Sequence, residues 1–224
     1  NALFAKGSEL STKVLSDPFY LLFFLIGISL LPFLAIMVTS FAKIVVVLSI
    51  ARQAIGTAQA PPNIVIISLS IILTVFSMYP VIKQIEQGLA SFNWKEAEAR
   101  VTLEKIFVTS KEPIREFLQK HAKEKDQELF LSLINRNVAD KDKAQANEFI
   151  VLAPAFLIGE LSHAFQIGFL VYLPFLVIDM LIANLLMALG MQMLAPTTIS
   201  LPFKILLFVL VDGWRLLAEG LTKV

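Results

Sequence analysis

The sequence predicts an all-α membrane-assembly protein in which two long, kinked apolar helical hairpins flank a hydrophilic helical insertion and assemble into a ring-like or helical oligomer. The first observation is composition, because 57% of the 224 residues are hydrophobic and the mean hydropathy is +0.75, as in integral membrane proteins. The second is a run from residue 165 to residue 214 that carries only three charges, Asp179, Lys204 and Asp212. The third is segregation of charge, since 24 of the 37 Lys, Arg, Asp and Glu residues lie between residues 83 and 148.

The N-terminal region, residues 1–82, is predicted to form the first apolar hairpin after a short lead-in. An apolar run starts at Pro18 and continues past Lys43 to Ala51, roughly 34 residues or about 50 Å of helix. A bilayer core needs only about 20 residues, and Pro32 is expected to kink the segment. The excess length favours a helix that is held by protein neighbours over one that is matched to lipid.

A turn is predicted at Arg52–Asn63, because Gly56 and the pair Pro61-Pro62 interrupt the helical pattern there. Asn63 can cap the next helix. The second apolar helix is then predicted to run from Ile64 to Ile82.

The middle region, residues 83–148, is predicted to be a solvated helical insertion. Its charges are balanced, with twelve basic and twelve acidic residues. The stretch Thr109–Pro113 has the pattern of a helix start, a capping box with Pro in the first turn. An insertion of this length escapes the positive-inside rule, so we expect it on the periplasmic side despite its basic residues.

The C-terminal region, residues 149–224, is predicted to be the second apolar hairpin. Its first part, Phe149–Gly190, is longer than one membrane span and awkward for two, and its Pro and Gly residues favour a bent or broken helix pair. Gly190 is expected to end this part, and Pro196 cannot continue it.

The next helix is expected to start after that hairpin tip. Thr197, Thr198 or Ser200 can act as its N-cap, with Pro202 tolerated in its first turn.

Several ionisable residues lie within these apolar segments, where an unpaired charge is costly. They are Lys43, Glu160, Asp179, Lys204 and Asp212. One interpretation is that they pair within or between subunits and fix the register of the helices, and the other is a proton or ion path. For Glu160, which follows the small residue Gly159, we expect the counter-charge to come from a neighbouring subunit or partner.

Enzymatic chemistry is not predicted. The chain has no Cys, which excludes thiolate catalysis, disulfides and Cys-based metal sites, and it has no phosphate-binding Gly loop, GxSxG or HExxH motif. Glu160 and His163 make half of a carboxylate metal site, and the sequence offers no second half. We therefore expect no metal and no cofactor, and a net charge of +1 argues against nucleic acid as a partner.

Two long blocks resemble the FliP/SctR family of type III secretion export-gate proteins, found in flagella and in injectisomes. The first is TSFAKIVVVLSIARQAIGTAQAPPN, and the second is AFQIGFLVYLPFLVIDMLIANLLMALGMQM followed by TISLPFKILLFVLVDGW. The resemblance implies a homo-pentamer that assembles with two smaller export-apparatus membrane subunits in the bacterial inner membrane. Unfolded protein substrates would leave the cytoplasm through this pore.

The tip of the C-terminal hairpin is the candidate functional site. A tip between Gly190 and Pro196 cannot easily bury itself in its own hairpin, so we expect exposed methionines there. The resemblance implies that the tip is a methionine-rich pore gasket made by Met191, Gln192 and Met193, with Gln192 replacing a third Met. Gly190 and Pro196 would serve as its hinge, letting the tip retract as one piece.

Two other functions fit the apolar, sparsely charged helices. A secondary transporter or proton-conducting membrane subunit would need paired half-helices and a polar midplane site, and the sequence shows kinks without a cluster of substrate-binding polar groups. A structural scaffold is the third class, and a leak assay on gasket variants separates it from a pore.

Overall fold

A computed structural model describes residues 18–57, 60–90, 99–136, 143–191 and 193–223. Within these ranges the chain is helical and has no β-strand, which confirms the predicted all-α class. The described helices are α1 (Pro18–Val38), α2 (Phe41–Ile55), α3 (Asn63–Ser77), α4 (Tyr79–Leu89), α5 (Ala99–His121), α6 (Glu124–Asn135), α7 (Phe149–Ala188), α8 (Pro196–Leu210) and α9 (Gly213–Thr222).

The chain divides into two compact units between Met37 and Val38. The first contains nearly all of α1, an apolar helix whose Phe19 and Phe33 side chains are exposed. Pro32 lies inside α1 without ending it. The second unit contains α2–α9. The predicted region boundaries after residues 82 and 148 stay predictions.

The second unit is organised around α2 and α7, which pack along each other more extensively than any other described pair of helices. They run in the same direction, because Lys43 lies beside Glu160 and, further along both helices, Ile50 lies against Gly168. The absence of a side chain at Gly168 is what permits this close approach. The other helices attach to this pair.

Two apolar clusters lie on different lengths of α7. The larger one joins α7 to α2, α3, α8 and α9. Its buried members are Ile44, Val47, Leu48, Ala51, Ala54, Ile55, Ile66, Leu73, Ala164, Phe175, Phe208, Leu217 and Leu221. The smaller one packs the first turns of α7 against the segments around α4 and α5. Its buried members are Met78, Val81, Phe117, Leu118, Ala122, Leu152, Ala155 and Phe156. The charged insertion is therefore tied to the apolar hairpins through α7.

The two apolar helices predicted for the N-terminal hairpin are each interrupted. The expected helix from Pro18 to Ala51 breaks at Thr39-Ser40, where hydroxyl side chains compete for backbone hydrogen bonds. The buried Ser40 accepts a hydrogen bond from the hydroxyl of Ser77, 3.3 Å away. The expected helix from Ile64 to Ile82 breaks at Met78, where α3 and α4 meet at a bend of 60°.

Two breaks that the sequence predicted are absent. The expected helix start at Thr109–Pro113 is wrong, because α5 is continuous from Ala99 to His121 with Pro113 inside it. For 149–190 the expectation is a bent or broken helix pair. The break is absent, since α7 is one helix of 40 residues, about 60 Å long, and the bend stays a prediction. In both cases burial of flanking side chains, such as Leu118 in α5, offsets the backbone hydrogen bond that a proline removes.

By length and composition, α7 qualifies as a membrane span. The number of candidate membrane spans rises from one to three if the pairs α1–α2 and α3–α4 each count as one broken span. These statements apply to the residues that the structure describes. Since α7 also packs on helices of the charged insertion, its length serves protein contacts as well as any crossing of a bilayer.

We expect Gly168→Ala to lower the free energy of unfolding by about 1–3 kcal/mol, the usual range for overpacking. The new Cβ would lie 2.4 Å from Cδ1 and 3.1 Å from Cγ2 of Ile50. Thermal unfolding of the detergent-extracted protein measures this. Gly220→Ala is the matched control, because the new Cβ would meet nothing within 4 Å beyond its own stretch of helix. Equal midpoints for the two variants would contradict the close contact of α2 with α7.

Candidate functional site

The turn at the end of α7 has the geometry of a Schellman motif. The amide of Gly190 donates to the carbonyl of Met187 at 3.0 Å, and the amide of Met191 donates to that of Leu186 at 2.9 Å. Gly190 has φ +71°, a left-handed conformation that glycine adopts without steric cost. The motif ends α7 and fixes the direction in which the chain leaves it, as expected for Gly190.

The hairpin tip is apolar and exposed. Met193 is 100% exposed and Met191 44%, and Leu189 and Leu194 beside them are exposed as well. Gln192, the remaining residue of the predicted gasket, lies outside the described residues. Between residues 180 and 199, Leu186 is the one described side chain that is buried.

The return helix α8 begins at Pro196, so the predicted N-cap at Thr197, Thr198 or Ser200 is wrong. Pro196 occupies the first helical position, where its missing N–H leaves no hydrogen bond unmade. Ala195 precedes it with extended backbone. Pro202 therefore lies inside α8 and not in its first turn. The helix-ending residues Gly190 and Pro196 bracket a short connection, and the proposed hinge motion stays a prediction.

The tip projects past the end of α2. Lys204 of α8 reaches both Asp179 of α7 and the neighbourhood of Gly56, the residue that ends α2. Asp179 thus marks the level at which α2 stops. Nine more residues of α7 follow Asp179 up to Ala188, which adds about 14 Å of helix. The methionines lie at the end of this extension.

The first buried ion pair joins α2 to α7. The Nζ atom of Lys43 is 3.0 Å from Oε2 of Glu160, and the two side chains are 10% and 5% exposed. The angles at this contact do not meet those of a hydrogen bond, so Oε2 is a buried oxygen without a hydrogen-bond donor among the described residues. The contact is therefore an electrostatic pairing. The expectation that another subunit supplies the counter-charge is corrected, because Lys43 of the same chain supplies one.

The second group joins α7 to α8. Lys204 donates a hydrogen bond to Oδ2 of Asp179 at 2.6 Å, and the hydroxyl of Ser200 donates to Oδ1 of Asp179 at 2.5 Å. Lys204 and Ser200 are buried, and the Asp179 side chain is 23% exposed. Each oxygen of the carboxylate therefore has its own donor. Charge-assisted hydrogen bonds of this kind are stronger than bonds between neutral groups.

Asp212 does not belong to the buried set. It lies in the turn between α8 and α9 with φ +50°, and its side chain is exposed and 3.9 Å from Arg215. Asp adopts the left-handed conformation more readily than most side chains. On the single chain Asp212 therefore lies in an exposed turn apart from the two buried pairs, and its burial against another subunit stays a prediction.

Sequence reasoning missed the role of Ser200 in this group. It lies one helical turn before Lys204, at a spacing of four residues that puts both on one face of α8. That spacing was the available signal, although the sequence alone does not show that Asp179 faces them. Sequence reasoning also missed Ser40 and Ser77, whose contact depends on the packing of α2 against α3.

Comparison with known proteins identifies the relatives of this chain. The sequence model of the FliP family matches residues 11–221 of this chain. The flagellar biosynthetic protein FliP of Bacillus subtilis is 43% identical over 91% of this chain and 90% of its own length. The Yop proteins translocation protein R of Yersinia pestis is 42% identical over 92% of this chain and 96% of its own. The hypersensitivity response secretion protein HrcR of Ralstonia nicotianae is 41% identical over 88% and 93% respectively.

We expect Glu160→Gln to lower the free energy of unfolding by about 3–5 kcal/mol, because it leaves the buried Lys43 without its counter-charge. Combining it with Lys43→Met is expected to recover part of the loss, since no buried charge then remains unpaired. Thermal unfolding of the two single variants and the double variant forms a double-mutant cycle.

Arg215→Ala is the control for this cycle, because it removes an exposed ion pair and should change the unfolding midpoint little. Strictly additive losses from Glu160→Gln and Lys43→Met would mean that the 3.0 Å contact does not couple the two side chains.

Proposed function

We propose that this chain, which belongs to the FliP family, closes the export pore of a bacterial type III secretion system with the tip of its α7–α8 hairpin. Its relatives serve in flagellar biosynthesis, Yop translocation and hypersensitivity-response secretion. The chain is accordingly a core subunit of the export gate. We further propose that it does this work in the bacterial inner membrane.

The observation that carries the proposal is the exposure of the tip. Met193 has no cover from its own chain, and Met191 is nearly half exposed. Isolated exposed apolar residues are ordinary, but here they lie together at the end of a projecting hairpin. Such a surface needs another surface against it, and copies of the same tip around a symmetry axis would supply one.

Methionine side chains suit a seal that must open for many different chains. An unfolded substrate presents varied side chains, so a rigid, specific binding site would hold some of them too strongly. Methionine is unbranched, flexible and polarisable, and it makes no strong directional bond. A ring of Met191 and Met193 side chains would fill the pore when idle and repack around a passing chain. Gln192 would add a polar position to this ring.

A ring also accounts for the exposed apolar surface along the hairpin. Apolar side chains also lie exposed along both helices before and after residues 189–194. Examples are Val177, Leu181, Leu185, Phe203, Leu206 and Leu210. We propose that a homo-pentamer and two smaller membrane subunits of the export apparatus cover much of this surface, and that lipid covers the rest.

A secondary transporter is less compatible with the described helices. Such proteins build a polar midplane site from paired interrupted helices. The pairs α1–α2 and α3–α4 are interrupted, but the longest apolar helix, α7, is continuous over 40 residues. Its ionisable residues Glu160 and Asp179 each have a basic partner within the chain. We therefore do not propose a solute pathway.

Met191→Ala combined with Met193→Ala is expected to leave the complex assembled but leaky to ions and small solutes, because truncation removes the flexible side chains that would fill the pore. Membrane conductance, or small-solute uptake in cells that express the complex without substrate, measures the leak. Met180→Ala is the control, since it makes the same chemical change on an exposed face of α7, eleven residues before Met191. If the tip variant assembles and leaks no more than the wild type, the methionines of the tip are not part of the seal.

Extraction in mild detergent should yield a stable homo-oligomer completed by smaller helical partners, because a monomer would leave the exposed apolar surface uncovered by protein. Native mass spectrometry gives the number of copies and the masses of the partners. A long-lived monomer as the dominant species under these conditions would contradict the ring.

A further inference from the structure

The group formed by Asp179, Ser200 and Lys204 lies where the projecting part of the α7–α8 hairpin begins. We propose that these three residues form a clamp that sets the position of the hairpin tip, and that they are positioning residues for the pore seal. This inference rests on the proposed function and deepens it, because it names what holds the seal in place. Met191 and Met193 form the seal itself, and the clamp acts through the two helices that carry them.

The clamp fixes the register of α8 against α7. Both oxygens of the Asp179 carboxylate accept hydrogen bonds from α8, one from Ser200 and one from Lys204. A slip of one residue would move α8 by about 1.5 Å and turn its side chains by about 100°. Neither donor would then reach its oxygen. Apolar side chains tolerate such slips far better, because their contacts have no preferred direction.

Beyond the clamp, little else holds the hairpin. From residue 180 to residue 199, Leu186 is the one buried side chain among those described. In the other direction along α7, buried side chains such as Phe175 and Ala164 recur. The described side-chain hydrogen bonds that connect α7 with α8 are those of the clamp. The position of the tip therefore depends on a few polar contacts about 14 Å away along α7.

The clamp also connects the hairpin to a third helix, α2. The Nζ atom of Lys204 is 3.9 Å from the point where a Cβ on Gly56 would lie, and Gly56 ends α2 with φ +88°. The C-terminal end of a helix carries partial negative charge that favours a nearby cation. Lys204 thus lies between the carboxylate of Asp179 and the end of α2. Since α2 belongs to the main core, the clamp aligns the projecting hairpin with the body of the subunit.

A purely stabilising ion pair would predict the same distances, so the test must read the position of the tip. The chain has no Cys, and Met193→Cys therefore introduces a single thiol at a fully exposed position of the tip. In the full complex, mild oxidation joins two such thiols only when tips of neighbouring copies meet. The initial rate of this inter-subunit cross-linking reports where the tips lie.

The clamp variant is Asp179→Asn with Lys204→Met in the Met193→Cys background, which removes the ion pair without leaving a buried charge. We expect it to slow cross-linking by about tenfold in complexes that still assemble. Lys43→Met with Glu160→Gln is the matched control, because it neutralises the other buried pair, nineteen residues earlier along α7. This control should leave the cross-linking rate of assembled complexes unchanged.

If Asp179→Asn with Lys204→Met prevents assembly, a milder variant tests the clamp. Ser200→Ala removes one donor and keeps the ion pair, and we expect it to slow cross-linking by about threefold. An unchanged rate in the assembled variants would overturn the clamp while leaving the seal intact. An equal slowing by the control pair would also overturn it, because the effect would then be general loosening. Failure of Met193→Cys to cross-link in the otherwise unaltered complex would overturn the proposed function, and the clamp with it.

Discussion

The close parallel contact of α2 with α7 is the constraint on which the described fold of residues 38–224 depends. It requires a residue without a side chain at position 168, because Ile50 occupies the space where a Cβ would lie. Once the two helices are this close, α7 offers one end to the helices of the charged insertion and the other to α8. The end of α2 then determines where the hairpin loses its lateral support. The projecting tip is thus a consequence of α7 being longer than its partner.

The two buried ion pairs have different surroundings, although both join helices of the apolar core. Lys43 and Glu160 are shielded from solvent on both sides of the contact, and Oε2 of Glu160 lacks a hydrogen-bond donor among the described residues. Asp179 has two donors and remains partly exposed. Desolvation opposes the gain from pairing more strongly at the first site than at the second. The first pair is therefore better understood as specifying which helices meet, and the second as specifying their register.

Sequence patterns predicted the composition-driven features and missed those that depend on tertiary contacts. The all-α class, the family and the end of α7 at Gly190 follow from apolar runs, long motifs and a local glycine rule. The predicted start of α8 is too late, because Thr197 and Ser200 are good N-caps in isolation while Pro196 suits the first helical position. The continuity of α5 and α7 through their prolines was missed, since packing of side chains such as Phe156 is invisible to a local rule. The pairing of Glu160 with Lys43 is not predictable locally, because nothing in the sequence brings residue 43 to residue 160.

Asp212 illustrates a turn that the sequence pattern conceals. An acidic residue in a run of apolar ones looks buried when the run is taken as one helix. The structure ends α8 at Leu210 and turns the chain, which leaves Asp212 exposed on the surface of the single chain. Recognising the turn would have required the contact of Phe208 with Gly213, where the aromatic ring occupies the space of a missing Cβ.

The sparse burial between residues 180 and 199 makes the tip a separable module. Because these side chains contribute little to the core of their own subunit, replacing them would alter the rim of the proposed pore at small cost to the folding of the chain that carries it. Pore width and chemistry can then be varied by substitution or design while the supporting body keeps its sequence. The buried residues of α2, such as Ile44, Leu48 and Ala51, are not replaceable in this way, because they form the core that α2 shares with α7.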